Sequence, residues 1–124
     1  MVRIDNELKK LIESNAMALA TIDKNNNPHA IAVAYIKVVG NDKVLITDNY
    51  MNETTKNIQK NNNIALVVWN KNWKTNCKGF ELRGKTKYFA SGKWKEFAKK
   101  LPGNKGEPVK GVMITTISKI KKLA

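Results

Sequence analysis

The stretch GFELRGKTKYFA, residues 79 to 90, limits the fold more than any other part of the chain. Phe80, Leu82, Gly84, Thr86 and Tyr88 alternate with Glu81, Arg83, Lys85 and Lys87. A repeat of two residues is the period of a β-strand, whose successive side chains point to opposite faces. One face here is charged and the other is apolar, small or hydroxyl-bearing, so the segment reads as a strand with one wet face. The chain has to build a sheet that covers a core on one side.

Other segments supply the partners of this strand. AMALATID (16–23) and HAIAVAYIKVV (29–39) are rich in small and β-branched residues and are separated by the turn-forming KNNNP. A second turn, GND, leads to KVLIT (43–47), while IALVVW (64–69) and GVMITTIS (111–118) complete the set. In RIDNELKKLIESN, Ile4, Leu8, Leu11 and Ile12 fall at helical spacing behind a capping Asp5 or Asn6. SGKWKEFAKKLPG predicts another helix, capped by Ser91, with Trp94, Phe97, Ala98 and Leu101 on its buried stripe and Pro102 and Gly103 ending it. A short helix is expected to start near Thr54. Six strands and two or three short helices predict a mainly β fold, a small and mostly antiparallel barrel with helical additions.

A chain of 124 residues fits one domain, so residues 1–124 are expected to form a single unit. One cysteine, Cys77, excludes an internal disulfide, and with a single histidine, His29, it offers no metal-ligand spacing. No apolar run approaches the roughly 18 residues of a membrane span, and MVRIDNELKK lacks the apolar core of a secretion signal. A cytoplasmic protein is the expectation. The net charge of +13 invites a nucleic-acid reading, but the cations are scattered lysines, with only Arg3 and Arg83 to supply bidentate forks. A solvated lysine-rich surface explains the charge more simply, and a basic barrel binding nucleic acid is kept as the alternative reading.

VLITDNYMNETTKNIQKN, residues 44–61, crowds hydroxyls and amides where a strand passes into a helix. A helix N-terminus presents unpaired N–H groups and the positive end of the peptide dipole, which suits a phosphate even without a glycine-rich loop. The same residues also read as a solvated turn capped by Thr54.

Taken in order, ALATIDKNNNPHAIAVAYIKV, VLIT with its polar continuation, KNIQKNNNIALVVW and FELRGKTKYF resemble the FMN-binding split barrel of the pyridoxamine 5′-phosphate oxidase-like superfamily. The similarity covers about residues 8 to 124 and is closest to the small, dimeric, single-domain FMN-binding proteins. The oxidases themselves are longer and carry basic substrate clamps. The resemblance implies a six-stranded antiparallel split barrel that binds FMN non-covalently at a homodimer interface and acts as an oxidoreductase or electron carrier. It implies that Ala32, Val33, Ala34 and Tyr35 face the isoalloxazine ring. Thr47, Asp48 and Asn49 would flank the flavin and ribityl chain, and Asn52, Thr54, Thr55, Lys56 and Asn57 would hold the phosphate. Many such proteins have a lysine where this chain has Glu53, which points to Lys56 as the source of positive charge. Leu123 corresponds to a terminal leucine that reaches the partner subunit's flavin. Trp69, Trp73 and Trp94 are expected to anchor the core or the dimer interface. No residue reads as an obligatory general acid or base, and the redox partner or substrate is not legible.

Overall fold

The computed structural model describes residues 2–124. The alternating segment forms an 11-residue strand, buried at Leu82, Gly84 and Thr86 and exposed at Arg83, Lys85 and Lys87. In chain order the strands are β1 (Met17–Ile22), β2 (Pro28–Val33), β3 (Lys37–Val38), β4 (Lys43–Asp48), β5 (Asn63–Trp69), β6 (Gly79–Phe89) and β7 (Gly111–Lys122). The helices are α1 (Asn6–Ser14), α2 (Glu53–Lys60) and α3 (Lys93–Lys99), and a 3-10 turn spans Pro102–Asn104. All strands belong to one antiparallel sheet ordered β2-β1-β5-β6-β7-β4-β3.

The sheet curls around one core as a split barrel. Leu19, Val33, Ile46, Leu66, Leu82 and Met113 meet there with Leu8 and Ile12 of α1 and Ile58 of α2. Asp5 caps α1, its Oδ1 accepting the Leu8 N–H at 2.8 Å, and Ile4, Leu8 and Ile12 are buried as their spacing predicts.

The sheet has seven strands where the sequence pattern suggests six. HAIAVAYIKVV does not run as one strand, because β2 ends at Val33 and Tyr35 takes a φ of 58°. That left-handed conformation breaks extended pairing. Residues 34–36 thus carry the chain from the β2 edge of the sheet to the opposite edge, where β3 pairs with β4.

α3 covers part of the outer face, where Ala98 packs with Leu45, Val112 and Ile114. Its N-cap position is Gly92, at φ 99°, and Ser91 is not the cap. Of the expected stripe, Ala98 is buried and Trp94 and Leu101 are half-buried, but Phe97 is 40% exposed and meets the Trp94 ring edge-on. Seven residues make too short a helix to turn a full stripe inward.

Where β1, β2 and β5 lie side by side, the outer face carries mostly small residues. Ala18 and Ala20 of β1 lie between Ala32 and Ala30 of β2 and Val67 and Ala65 of β5. Farther across, Arg83 of β6 pairs in register with Lys119 of β7, and Glu81 with Lys121. Trp69 and Trp73 are 42% and 39% exposed, so neither anchors the core. The C-terminal tail is tied down: Leu123 N–H donates to Gly79 O at 2.8 Å. Among the described residues no helix is long and apolar enough to cross a membrane, and no group of metal-ligating side chains assembles.

Candidate functional site

The polar stretch after β4 is held in shape by Asp48. This aspartate is 1% exposed; Oδ1 accepts the Met51 N–H at 2.9 Å and Oδ2 accepts the Tyr88 hydroxyl at 2.7 Å. Lys110 Nζ stands 3.8 Å from Oδ1 and compensates the buried charge. Burial, and then the Asp48 hydrogen bond and charge, push the Tyr88 phenol well above the ordinary tyrosine range. Tyr88→Phe would leave the buried carboxylate short of a donor, an expected loss of about 1–3 kcal/mol in urea unfolding. A variant as stable as the parent would show that the pair contributes nothing.

Past this turn α2 begins. Thr55 Oγ1 donates to Asn52 O at 2.8 Å, and the side chain of Asn52 does not cap the helix. The first amides of a helix have no partner within it, so they remain available to a ligand.

A cavity of about 590 Å³ opens where the β2 end, the β4 end and the α2 N-terminus converge. Ala32, Val33, Ala34 and Tyr35 line one side, and Thr47, Asn49, Asn52 and Thr54 line another. These eight of the residues expected at a flavin site come together. The other five do not line the cavity. Asp48 is turned to Met51 and Tyr88. Thr55 is engaged with Asn52 O, and Asn57 is buried with its Nδ2 donating to Thr21 Oγ1 at 3.0 Å. Lys56 is exposed on the helix surface. Leu123 is 46% exposed beside Gly79.

The cavity also gathers residues that the sequence does not reveal as neighbours. His29 Nδ1 lies 3.1 Å from Glu53 Oε2, and both line the wall next to α2. The Tyr50 hydroxyl donates to Glu107 Oε2, and this hydrogen bond raises the Tyr50 pKa. Glu107 arrives from a loop 57 residues away in sequence, and no local pattern signals it. Asn104 is 3% exposed and ties that loop to the site: Nδ2 donates to Thr47 Oγ1 at 3.1 Å and to Ala98 O at 2.8 Å, and Oδ1 accepts from Asn49 at 3.3 Å. Although the chain carries a net charge of +13, the described lining includes two carboxylates and no lysine or arginine. Hydroxyls, amides, helix N–H groups and the His29 imidazole are the donors that this lining offers an anion.

Residues 4–123 match the family model for pyridoxamine 5′-phosphate oxidase, and the chain belongs to this family. It is 32% identical over 105 residues to an uncharacterized protein of Methanocaldococcus jannaschii, covering 82% of this chain. The match spans 66% of that protein, just under two thirds of its length. Among solved structures, HupZ of Group A Streptococcus superposes with a TM-score of 0.85 at 23% identity, over 97% of this chain and 94% of that one. An FMN-binding protein from Syntrophomonas wolfei gives 0.83 at 19% identity, over 94% and 83%. These two likenesses establish the split-barrel fold.

Proposed function

We propose that the chain is a cytoplasmic flavoprotein, an oxidoreductase or electron carrier that binds FMN non-covalently in the cavity between β2, β4 and α2. The observation that carries this reading is the shape of one cavity, which joins a wall of small residues to a helix N-terminus. Ala32 and Ala34 have no side chain beyond Cβ, so a flat ring system can approach the strand closely. At the other end Asn52, Thr54 and the first α2 amides suit a phosphate. The volume lies within the range of about 300–1,000 Å³ usual for small-molecule and cofactor sites. The FMN-binding protein of S. wolfei shares the fold, which supports the choice of ligand.

FMN would supply the redox chemistry. Thr47 and Asn49, oriented by Asn104, would hydrogen-bond the ligand and fix its orientation. Tyr35 and Tyr50, both exposed beside the cavity, would shield it from water once covered. Glu53 is the unfavourable element for an anion, and its carboxylate faces His29 Nδ1 at 3.1 Å.

A second copy of the chain is the natural cover. The alanine face of β1, β2 and β5 is exposed or half-buried among the described residues, and Ala32 belongs both to that face and to the cavity wall. A homodimer built on it would place the flavin beside the interface and bring the partner's tail near. Leu123→Ala keeps the backbone bond to Gly79 and is expected to weaken FMN binding severalfold; unchanged affinity and unchanged reduction potential would remove Leu123 from the site.

The absorbance spectrum of protein freshly passed through gel filtration tests the function. A stoichiometric flavin band supports the proposal, and a colourless protein that takes up no added FMN would contradict it. In that second case the basic strip of Arg83, Lys85, Lys119 and Lys121 becomes the surface to examine for nucleic acid.

A further inference from the structure

We infer that Gly103 is a positioning residue for the cavity: it seats the Tyr35 ring, and through that ring it sets which ligands fit beside Ala34. Tyr35 lines the cavity, is 53% exposed and has a φ of 58°, so neither core burial nor a relaxed backbone holds it in place. Gly103 supplies the missing constraint. A Cβ built on Gly103 would lie 2.1 Å from Tyr35 Cδ1 and 2.6 Å from both Cε1 and Cγ. The ring therefore rests against the Gly103 backbone in space that any side chain would occupy.

The turn beneath the ring cannot easily give way. Gly103 sits in the Pro102–Asn104 turn, whose Asn104 is buried and bonded to Ala98 O at the end of α3 and to Thr47 Oγ1 at the end of β4. A side chain at 103 would displace Tyr35 instead of the turn. Gly103 is not among the positive-φ glycines, Gly92 and Gly106, so alanine there adds a clash without backbone strain. α3 gains a second role from this arrangement. Besides covering Leu45, it ends in the turn that places Tyr35 and orients Thr47.

The identity of the ligand rests on the proposed flavin site, and the test separates the two ideas. FMN and riboflavin are titrated into the apo forms of the parent, Gly103→Ala, Tyr35→Ala and the double variant. Displacing the ring acts on the part that both flavins share. Gly103→Ala should therefore weaken both by the same factor, about tenfold, which corresponds to 1.4 kcal/mol. In the Tyr35→Ala background the same substitution should change nothing. An equal loss in both backgrounds, or no loss in either, overturns the inference. A Gly103→Ala chain that folds only when Tyr35 is also alanine supports the contact. If the parent binds neither flavin, the flavin reading falls on its own, and ¹⁹F spectra of ligand-free protein labelled with 3-fluorotyrosine decide the rest. A Tyr35 resonance displaced by Gly103→Ala upholds the inference, and an unmoved one overturns it.

Discussion

FMN is expected to bind this chain roughly a hundredfold more tightly than riboflavin, which has the same ring system and no phosphate. The α2 N-terminus contributes about 0.3–2 kcal/mol toward an anion through its dipole and free amides. Hydrogen bonds from Asn52 or Thr54 to a charged oxygen add about 1.5–3 kcal/mol each. Desolvation of the phosphate and the nearby Glu53 carboxylate reduce the sum to a net on the order of 3–5 kcal/mol, and each 1.4 kcal/mol is about tenfold in affinity. Lys56, exposed and outside the cavity, adds little beyond a screened long-range attraction. Thr54→Ala should narrow the gap by weakening FMN while sparing riboflavin, which is the opposite signature to Gly103→Ala. Equal binding of the two flavins by the parent would reduce residues 52–57 to a capped turn.

The flavin-loaded protein is also expected to be a dimer at micromolar concentration, with a light-scattering mass twice the 14.0 kDa of the chain. The outer face of β1, β2 and β5 carries Ala18, Ala20, Ala30, Ala32, Ala65 and Val67 side by side, all exposed or half-buried among the described residues. Ala20→Glu would put an unpaired carboxylate in the middle of that face. In a monomer it stays in water. In the dimer each buried charge costs on the order of 3–5 kcal/mol, which loosens association a hundredfold or more. A monomeric mass for the FMN-loaded parent would refute the assembly. An Ala20→Glu protein that remains fully dimeric would move the interface to another face.

Local pattern was enough to read most of the fold. The alternation of β6 fixed a half-covered sheet, and Asp5 with Ile4, Leu8 and Ile12 fixed α1, because period and capping are local properties. The break at Tyr35 was not readable. A β-branched, alanine-rich run looks continuous, and the left-handed φ falls where the chain leaves one sheet edge for the other. Ser91 failed as a cap because Gly92 could adopt the positive φ that the chain requires there.

The site was legible where one segment supplies it and opaque where distant segments meet. Thr47, Asn49, Asn52 and Thr54 lie in a single polar stretch and share a cavity. Asp48, in the same stretch, points the other way, since successive residues leaving a strand face opposite sides. Glu107, Asn104 and Gly103 come from a lysine- and glycine-containing loop with no periodicity, and only the fold brings them to Tyr50, Thr47 and Tyr35. The pairing of Glu53 with His29 likewise joins two elements that are remote in sequence.

A crystal structure of the FMN-loaded protein tests where the flavin sits. The isoalloxazine ring is expected against Ala32, Ala34 and Tyr35, with the phosphate at Asn52, Thr54 and the first amides of α2. A flavin found elsewhere, such as the smaller cleft between Ile58, Lys60, Lys87 and Tyr88, would contradict it, as would a phosphate pointing away from α2.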